Sequence, residues 1–572
     1  MSEEGDAAPQ RRSARSEPAA GQASGGRIAA AARAALGLRL RPEQKQAVER
    51  VVAGRDTLCV MPTGSGKSAI YQVAATLVPG ATLVVSPLIA LQRDQVESLE
   101  ESEAGEAAAV NSLQTGSARG AALRGLRAGR IEFLFVSPEQ LANEDVLARL
   151  RRAQPSLLVV DEAHCISQWG HDFRPDYLQL GKVAQRLGRP TILALTATAS
   201  PRVREDVIRH LGMREPHVLV QGFDRPNIWL GATSHPDEAH KLDALLAYVK
   251  QADKPGIVYV GTRRLTTTVR DALEGAGVSP IAYHAGMSAA EREWAHGAFM
   301  PSREAVMVAT NAFGMGIDKP DVRFVVHYTP SDSLDSYYQE IGRAGRDGGV
   351  AQALLLYRRQ DLALHRFFAG AGRLTAADVE RVLDALAAGE PPARRKALAG
   401  LTGLSQLKVT RAVHALAELG AVELTAVGRA TLRERPAERG ETARDALALL
   451  ARRRDAESAR LELLHAYAET STCRRAMLLR YFGEDAPDRC GFCDSCDSGR
   501  SERVAARLAV AVVPGPRVRA TARQTAAAAR AARSPRQRPA TAAAFAPGTW
   551  AEHRAFGRGM VVGRDGDHVE IA

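Results

Sequence analysis

The stretch TLCVMPTGSGKSAIYQ, residues 57–72, decides how the rest of the chain is read. An apolar run leads into a turn rich in Gly and Ser, and a helical stretch follows. That order is a strand, a tight loop and the first turns of a helix. Backbone N–H groups from Gly64 to Ser68, with the helix N-terminus, can cradle a polyphosphate. Lys67 stands where an ammonium would neutralise β- and γ-phosphate charge, and Ser68 where a hydroxyl would ligate Mg²⁺; Thr63, Ser65 and Gly66 complete the loop. The strict pattern has Gly where this chain has Met61. The rival reading is a Gly-rich turn that binds nothing, but strand, loop, Lys-Ser pair and helix all favour the first.

Outward from this loop, short β-rich runs alternate with helical stretches. They fall at 57–61, 81–86, 131–137, 156–161 and 191–196, and again at 256–260, 280–284, 305–310, 323–328 and 353–357. Apolar runs separated by helices predict two consecutive α/β units, each on a parallel doubly wound sheet, joined near 221–227. The run SLLVVDEAH (156–164) ends on Asp161 and Glu162. Ligands of such sheets sit at the carboxyl ends of the strands. Asp161 is placed to hold Mg²⁺, and Glu162 to orient and deprotonate an attacking water. A solvated pair of strand-end acids is the plainer alternative, and the phosphate loop beside it weighs against that.

The chain has 572 residues, 76 Lys+Arg against 65 Asp+Glu, and a formal net charge of +11. With 45% apolar and 25% charged residues, wholesale disorder is excluded. No apolar run is long enough for a transmembrane helix, and the first residues lack the apolar core of a secretory signal. A cytoplasmic protein with no membrane partner is expected. The positive charge suits a polyanion but is weak evidence alone.

Residues 1–27 are predicted to be a disordered tail, 28–222 the first α/β unit and 223–370 the second. Over 374–435, Thr375 and Asp378 form a helix-start box, a helix runs from about Ser405 to Leu419, and the β-like GAVELTAVGRATL follows. Helix–turn–helix followed by a hairpin is winged-helix order. Lys408, Arg411 and His414, at spacing three, share a helix face. That face either contacts duplex backbone or is merely solvated. Within a helical segment at 440–499, Cys473, Cys490, Cys493 and Cys496 follow C-x16-C-x2-C-x2-C. Four thiolates suit tetrahedral Zn²⁺ in a closed structural site, with an iron–sulfur cluster as the rival. Cys59 and Cys165 are expected to be packed small residues. Residues 500–546 carry ten arginines against Glu502 and read as a linker, either a plain tether or a salt-sensitive DNA contact. A short β-type segment, 547–572, closes the chain.

MPTGSGKS, DEAHCISQWGHDFRPDY (161–177), LTATAS (195–200), YHAGM (283–287), VATNAFGMGIDKPDVRFVVHY (308–328) and QEIGRAGRDG (339–348) stand in the order and rough spacing of the RecQ family, superfamily-two DNA helicases. The resemblance covers about 36–368 and resumes at about 460–497, where CRRAMLLRYFGE and the cysteine spacing resemble the family's zinc module. It implies two RecA-like lobes that clamp ATP between them, and it makes Met61 a subfamily marker. Arg343 and Arg346 resemble the family's inter-lobe arginines, with Arg346 the better candidate to reach the γ-phosphate. Asp318 resembles the ribose or closure residue of its motif. Trp169, His171, Phe173 and Arg174 fall in the family's aromatic-rich loop and imply base stacking on single-stranded DNA. Trp169, Phe173 and Tyr177 are also spaced by four, which would make one apolar helix stripe and plain core packing. His164 is placed to relay strand binding to the ATP site.

Arg41 and Gln44 match the adenine-reading positions, although the aromatic that relatives carry upstream is replaced by Ala35-Leu36-Gly37-Leu38. SPLIALQRDQ (86–95), VSPEQL (136–141), GTRR with Arg263, and Thr310 match strand-contacting motifs. The winged-helix-like segment departs from the family, because it precedes the zinc module. The last 24 residues resemble the small Tudor-like end of some other bacterial helicases, which implies protein docking. The resulting expectation is an ATP- and Mg²⁺-dependent 3′–5′ DNA helicase of bacterial cytoplasm and nucleoid, acting on single-stranded and forked DNA in replication, recombination or repair. An ATP-driven remodeller that does not unwind, and a non-enzymatic winged-helix DNA-binding protein, are the alternatives.

Overall fold

The computed structural model describes residues 25–501, with breaks at 88, 103, 112–113, 142, 168, 170–172, 315–316, 362–372, 390–392, 425–428 and 434–438, and the backbone of three further strands, Trp550–His553, Gly557–Asp565 and His568–Ile571. The tail at 1–24 and nearly all of the arginine-rich linker lie outside the described residues. A helix starts at Gly25, three residues inside the predicted tail.

The first sheet contains β1 (Thr57–Val60), β2 (Thr82–Val85), β3 (Ala107–Val110), β4 (Phe133–Val136), β5 (Leu157–Val160), β6 (Thr191–Thr196) and β7 (His217–Val220). Their order is β3-β4-β2-β5-β6-β1-β7, and all neighbours are parallel. The second contains β8 (Ile228–Ser234), β9 (Gly256–Tyr259), β10 (Pro280–Tyr283), β11 (Val306–Ala309), β12 (Phe324–His327) and β13 (Ala351–Tyr357), in the order β10-β11-β9-β12-β13-β8 and again all parallel. The central strands are buried on both faces: Leu58 and Val60 point into one core, Cys59 and Met61 into the other. Burial pushes the Cys59 thiol up to about 12, which keeps it inert.

Three strands escaped the sequence reading: β3, β7 and β8. Each lies at a sheet edge and is only partly buried: β3 is built on three alanines that favour a helix as readily as a strand, β7 opens on His217, and β8 carries Gly231 and ends on Thr233 and Ser234.

Beyond the sheets, helices Ala376–Ala388, Arg395–Thr402 and Gln406–Glu418 and an antiparallel hairpin (Val422–Leu424 with Ala430–Leu432) enclose a core of their own, built on Val379, Leu383, Val409, Val413 and Leu416. The start of a long helix, Arg439–Glu469, closes that core with Ala443 and Ala446. The far end of the same helix behaves differently. Leu464 and Tyr467, with Leu478, Phe482, Cys493 and Cys496, belong to the core that runs through both sheets. Among the described residues no helix is long and apolar enough to cross a membrane.

Candidate ATP site and the surfaces around it

β1 is fully buried, and Met61 N–H donates to Thr196 O at 3.0 Å, so the loop leaves the sheet at a fixed point. Gly64 (φ +77°) and Gly66 (φ +76°) take left-handed backbone that a side chain would strain. Gly66 is also crowded by Gln44, whose Nε2 donates to Ser65 O at 2.8 Å and Gly66 O at 2.9 Å, while its Oε1 accepts from Arg41 N–H at 2.8 Å. The expected adenine reader is thus tied to the phosphate loop, and Arg41 itself is exposed. Lys67 opens the helix Lys67–Leu77 and folds back to donate to Met61 O at 3.1 Å and Pro62 O at 3.3 Å. Its burial lowers its pKa, against the pull of Glu162 and Asp161. Ser65 Oγ is buried and finds no hydrogen-bond partner among the described residues.

Asp161 and Glu162 follow β5 directly. Burial and the adjacent Glu162 charge raise the Asp161 carboxyl to about 7, with Lys67 opposing. Glu162 has φ +47°, unusual for a side-chain-bearing residue and typical of strained functional backbone. Its Oε2 lies 3.3 Å from His164 Nδ1. The same nitrogen is 2.9 Å from Thr196 Oγ1, and Thr196 donates its hydroxyl proton to Thr198 O at 3.0 Å. The threonine oxygen therefore accepts, which places the imidazole proton on Nδ1. Thr196 was missed as a site residue, although it sits in the quoted LTATAS.

The second lobe delivers its arginines to this loop. Arg346 donates to Ile317 O at 2.7 Å and Asp318 Oδ1 at 2.6 Å, so Asp318 stands here as the anchor of that arginine. The Arg346 side chain lies against Gly64, whose added Cβ would be 3.5 Å from its Cδ. Arg346 Nε and Nη2 and Arg343 Nε are buried without hydrogen-bond partners among the described residues. The loop that carries them is pinned by the inter-lobe linker. Arg225 donates to Gly342 O (3.2 Å), Ala344 O (2.8 Å) and Gly345 O (3.1 Å), and Asn227 to Gly345 O (2.8 Å) and Gly349 O (2.9 Å). Neither linker residue was singled out from sequence.

The aromatic loop is not a helix stripe, which corrects the spacing argument. Tyr177 is fully buried in a 3-10 turn and donates to Asp161 O at 3.1 Å. Trp169 is part-buried with the Arg202 guanidinium 3.4 Å above its ring, and Phe173 faces Arg453 of the long helix at 4.9 Å. Arg174 donates to Pro87 O at 2.9 Å, joining this loop to SPLIALQRDQ. His171 lies outside the described residues. In the second lobe Arg263 is exposed beside Gly286 of YHAGM, and Thr310 is buried. Lys408 and Arg411 are not on an open face. Lys408 Nζ pairs with Asp378 Oδ2 at 2.9 Å, and Arg411 and His414 line a cleft towards the long helix and Phe173. Periodicity grouped these side chains correctly but could not say what they face. Burial would raise the Asp378 carboxyl, yet Lys408, the Thr375 N–H and Arg381 hold it down at about 2.

Cys473, Cys490, Cys493 and Cys496 bring their sulfurs within 4.8 Å of one another. Four thiolates on a tetrahedron around a metal at ~2.3 Å would stand roughly 3.8 Å apart, so the set fits one ion with no open position. The module is bolted to the linker and second lobe. Phe482 stacks on Phe223 (4.3 Å, 11°), Arg475 pairs with Asp224 at 2.9 Å, Trp229 Nε1 donates to Asp497 Oδ2 at 2.8 Å, and Leu230 of β8 bridges Cys493.

Three family models match the chain: DEAD/DEAH box helicase over 41–207, helicase conserved C-terminal domain over 239–348, and RecQ zinc-binding over 441–497. ATP-dependent DNA helicase RecQ of Pasteurella multocida is 36% identical over 458 residues, which is 80% of this chain and 60% of that protein, so the match spans well under the full length of that relative. The probable ATP-dependent DNA helicase RecS of Bacillus subtilis is 39% identical over 345 residues, 60% of this chain and 69% of that one. A solved structure of the DUF1998 helicase MrfA bound to DNA has a TM-score of 0.49 at 16% identity, covering 74% of this chain and 60% of that chain. With its two helicase models, its zinc-binding model and these relatives, the chain belongs to the RecQ helicase family.

Proposed function

We propose that the protein is a DNA-stimulated ATPase that moves 3′ to 5′ on single-stranded DNA and unwinds the duplex ahead. One observation carries this reading: Arg346 of the second lobe lies against Gly64 of the phosphate loop in the first, anchored by Asp318, with two N–H-bearing nitrogens uncommitted. An arginine delivered across an interface stabilises charge only when the lobes are closed, which links hydrolysis to their motion. Gly64 to Ser68 and Lys67 hold the phosphates, and Gln44 gives up its bonds to the loop when it reads the base. Ser68 and Asp161 are the residues that would hold Mg²⁺, which would supply neutralisation of phosphate charge. Glu162 takes the proton of the attacking water, and His164 with Thr196 ties that acid to β6. Trp169, Phe173, Arg174, Arg263 and Thr310 contact the strand without reading sequence. The four cysteines hold a structural Zn²⁺.

The test is ATP hydrolysis with and without single-stranded DNA, followed by strand displacement on duplexes with 3′ or 5′ tails. Stimulation by DNA and displacement from the 3′ tail only are expected, both abolished by Lys67→Ala. Arg346→Ala should bind ATP yet hydrolyse it about 10³-fold more slowly. Hydrolysis indifferent to DNA would overturn the reading.

A further inference from the structure

A cleft of about 640 Å³ opens where three parts of the chain meet: the aromatic loop of the first lobe, the winged-helix-like module and the long helix. Phe173, Arg373, Arg411, Arg453, Arg454 and Glu457 lie in its wall. Four arginines face one acid, and the apolar wall is completed by Leu374, Leu447 and Leu450. Arg453 is already committed on one side, to Glu418, and sits over the Phe173 ring at 4.9 Å with its Nε buried and unpaired among the described residues. His414, on the same helix face as Arg411, stays neutral because burial and then Arg395 and Arg453 lower its pKa. A ring face, aliphatic walls and a surplus of guanidinium groups within one narrow opening suit a base beside its phosphates, and suit neither a lipid headgroup nor the broad backbone of a duplex.

We propose that this cleft is a binding subsite for single-stranded DNA, in which the inserted winged-helix module supplies phosphate contacts and Phe173 the stacking surface. The module thereby acts on the strand leaving the motor, rather than gripping duplex through the face that Lys408 was expected to present. The assignment rests on the motor reading above for the source of the strand, but it is tested by binding alone.

The experiment is fluorescence anisotropy of the full chain, without nucleotide, on a labelled thymidine oligonucleotide and on a blunt duplex, across a salt series. For R411E/R454E the oligonucleotide affinity should fall at least tenfold while the blunt duplex loses less than twofold. The slope of log affinity against log salt should become shallower by roughly 1.4, the value for two lost single-strand phosphate contacts. Equal losses on both DNAs, or no loss, would overturn the proposal. Should the charge reversals disturb folding, detected as a lowered melting midpoint, R411Q/R454Q gives the same comparison. As a second measurement, an oligonucleotide carrying 5-iododeoxyuridine is photo-crosslinked to the wild-type chain. Adducts on Phe173 and on the 447–457 segment are expected, and adducts confined to other segments would overturn the assignment. If the cleft passes these tests but hydrolysis ignores DNA, the motor reading alone fails; if hydrolysis responds to DNA and the cleft fails, the reverse holds.

Discussion

The winged-helix-like module and the cysteine module share one helix, Arg439–Glu469, yet they are built on opposite plans. The first encloses its own core and meets the first lobe across the cleft beside Phe173. The second has no separate core: its apolar residues are continuous with those of both sheets, and it grips the inter-lobe linker through Phe482 and Arg475. The lesson is that neighbours in sequence can have unequal claims on the rest of the molecule. An accessory unit with its own core can be inserted without disturbing the motor, whereas one that shares the core cannot be removed without it.

The strongest attack on this contrast is to take away a thiolate. Cys496→Ser, or a chelator, should remove on the order of 10 kcal/mol of metal-linked folding energy and bring down the second lobe with the module. Calorimetry should then lose the main transition; an unshifted main transition would dissolve the contrast. Leu416→Ala should cost about 2–5 kcal/mol, confined to the winged-helix core, shifting a minor transition and leaving the main one in place. If both transitions moved together, the two modules would be one cooperative unit.

Smaller effects probe how far the cysteine side reaches into chemistry. Arg225→Ala releases the loop carrying Arg343 and Arg346, so kcat should fall by about 10²-fold with KM for ATP nearly unchanged, because misplacement of a catalytic group costs rate rather than ground-state binding. A mutation there that raised KM alone would make Arg225 a plain structural residue. The least effect should come from pH. Burial raises Asp161 to about 7, so below that pH Mg²⁺ has to displace a proton from it. Between pH 8 and pH 6 the half-saturating Mg²⁺ concentration should therefore rise by about tenfold. A response measured equally in Leu416→Ala would show the phosphate site to be independent of the winged-helix module.

The loop between β1 and its helix, the acid pair at the end of β5 and the four clustered cysteines were legible as patterns because each is written in a short span of sequence. Two parallel sheets were legible because strands buried on both faces are rich in Val, Leu and Ile, whereas the edge strands hid because β3 is mostly alanine and β7 and β8 are short apolar runs mixed with His217, Gly231 and polar residues. What periodicity could not supply was neighbourhood. It put Lys408, Arg411 and His414 on one face, but Asp378 from another helix and the cleft towards Phe173 decided what that face does. It aligned Trp169, Phe173 and Tyr177, but Pro175 opens a 3-10 turn rather than continuing a helix, and each ring went to a different partner. Arg225 and Asn227 left no signal at all, since their partners are carbonyls more than a hundred residues away.

The stretch from Gln221 to Asn227 is held at both flanks within seven residues, by carbonyls of the arginine loop on one side and by Phe482 and Arg475 on the other. Adding one residue would displace one flank by up to about 3.5 Å, beyond the tolerance of a hydrogen bond. Loops elsewhere are free to drift in length over generations; this one is a ruler, and its calibration is fixed by the distance a guanidinium must keep from the glycine it faces.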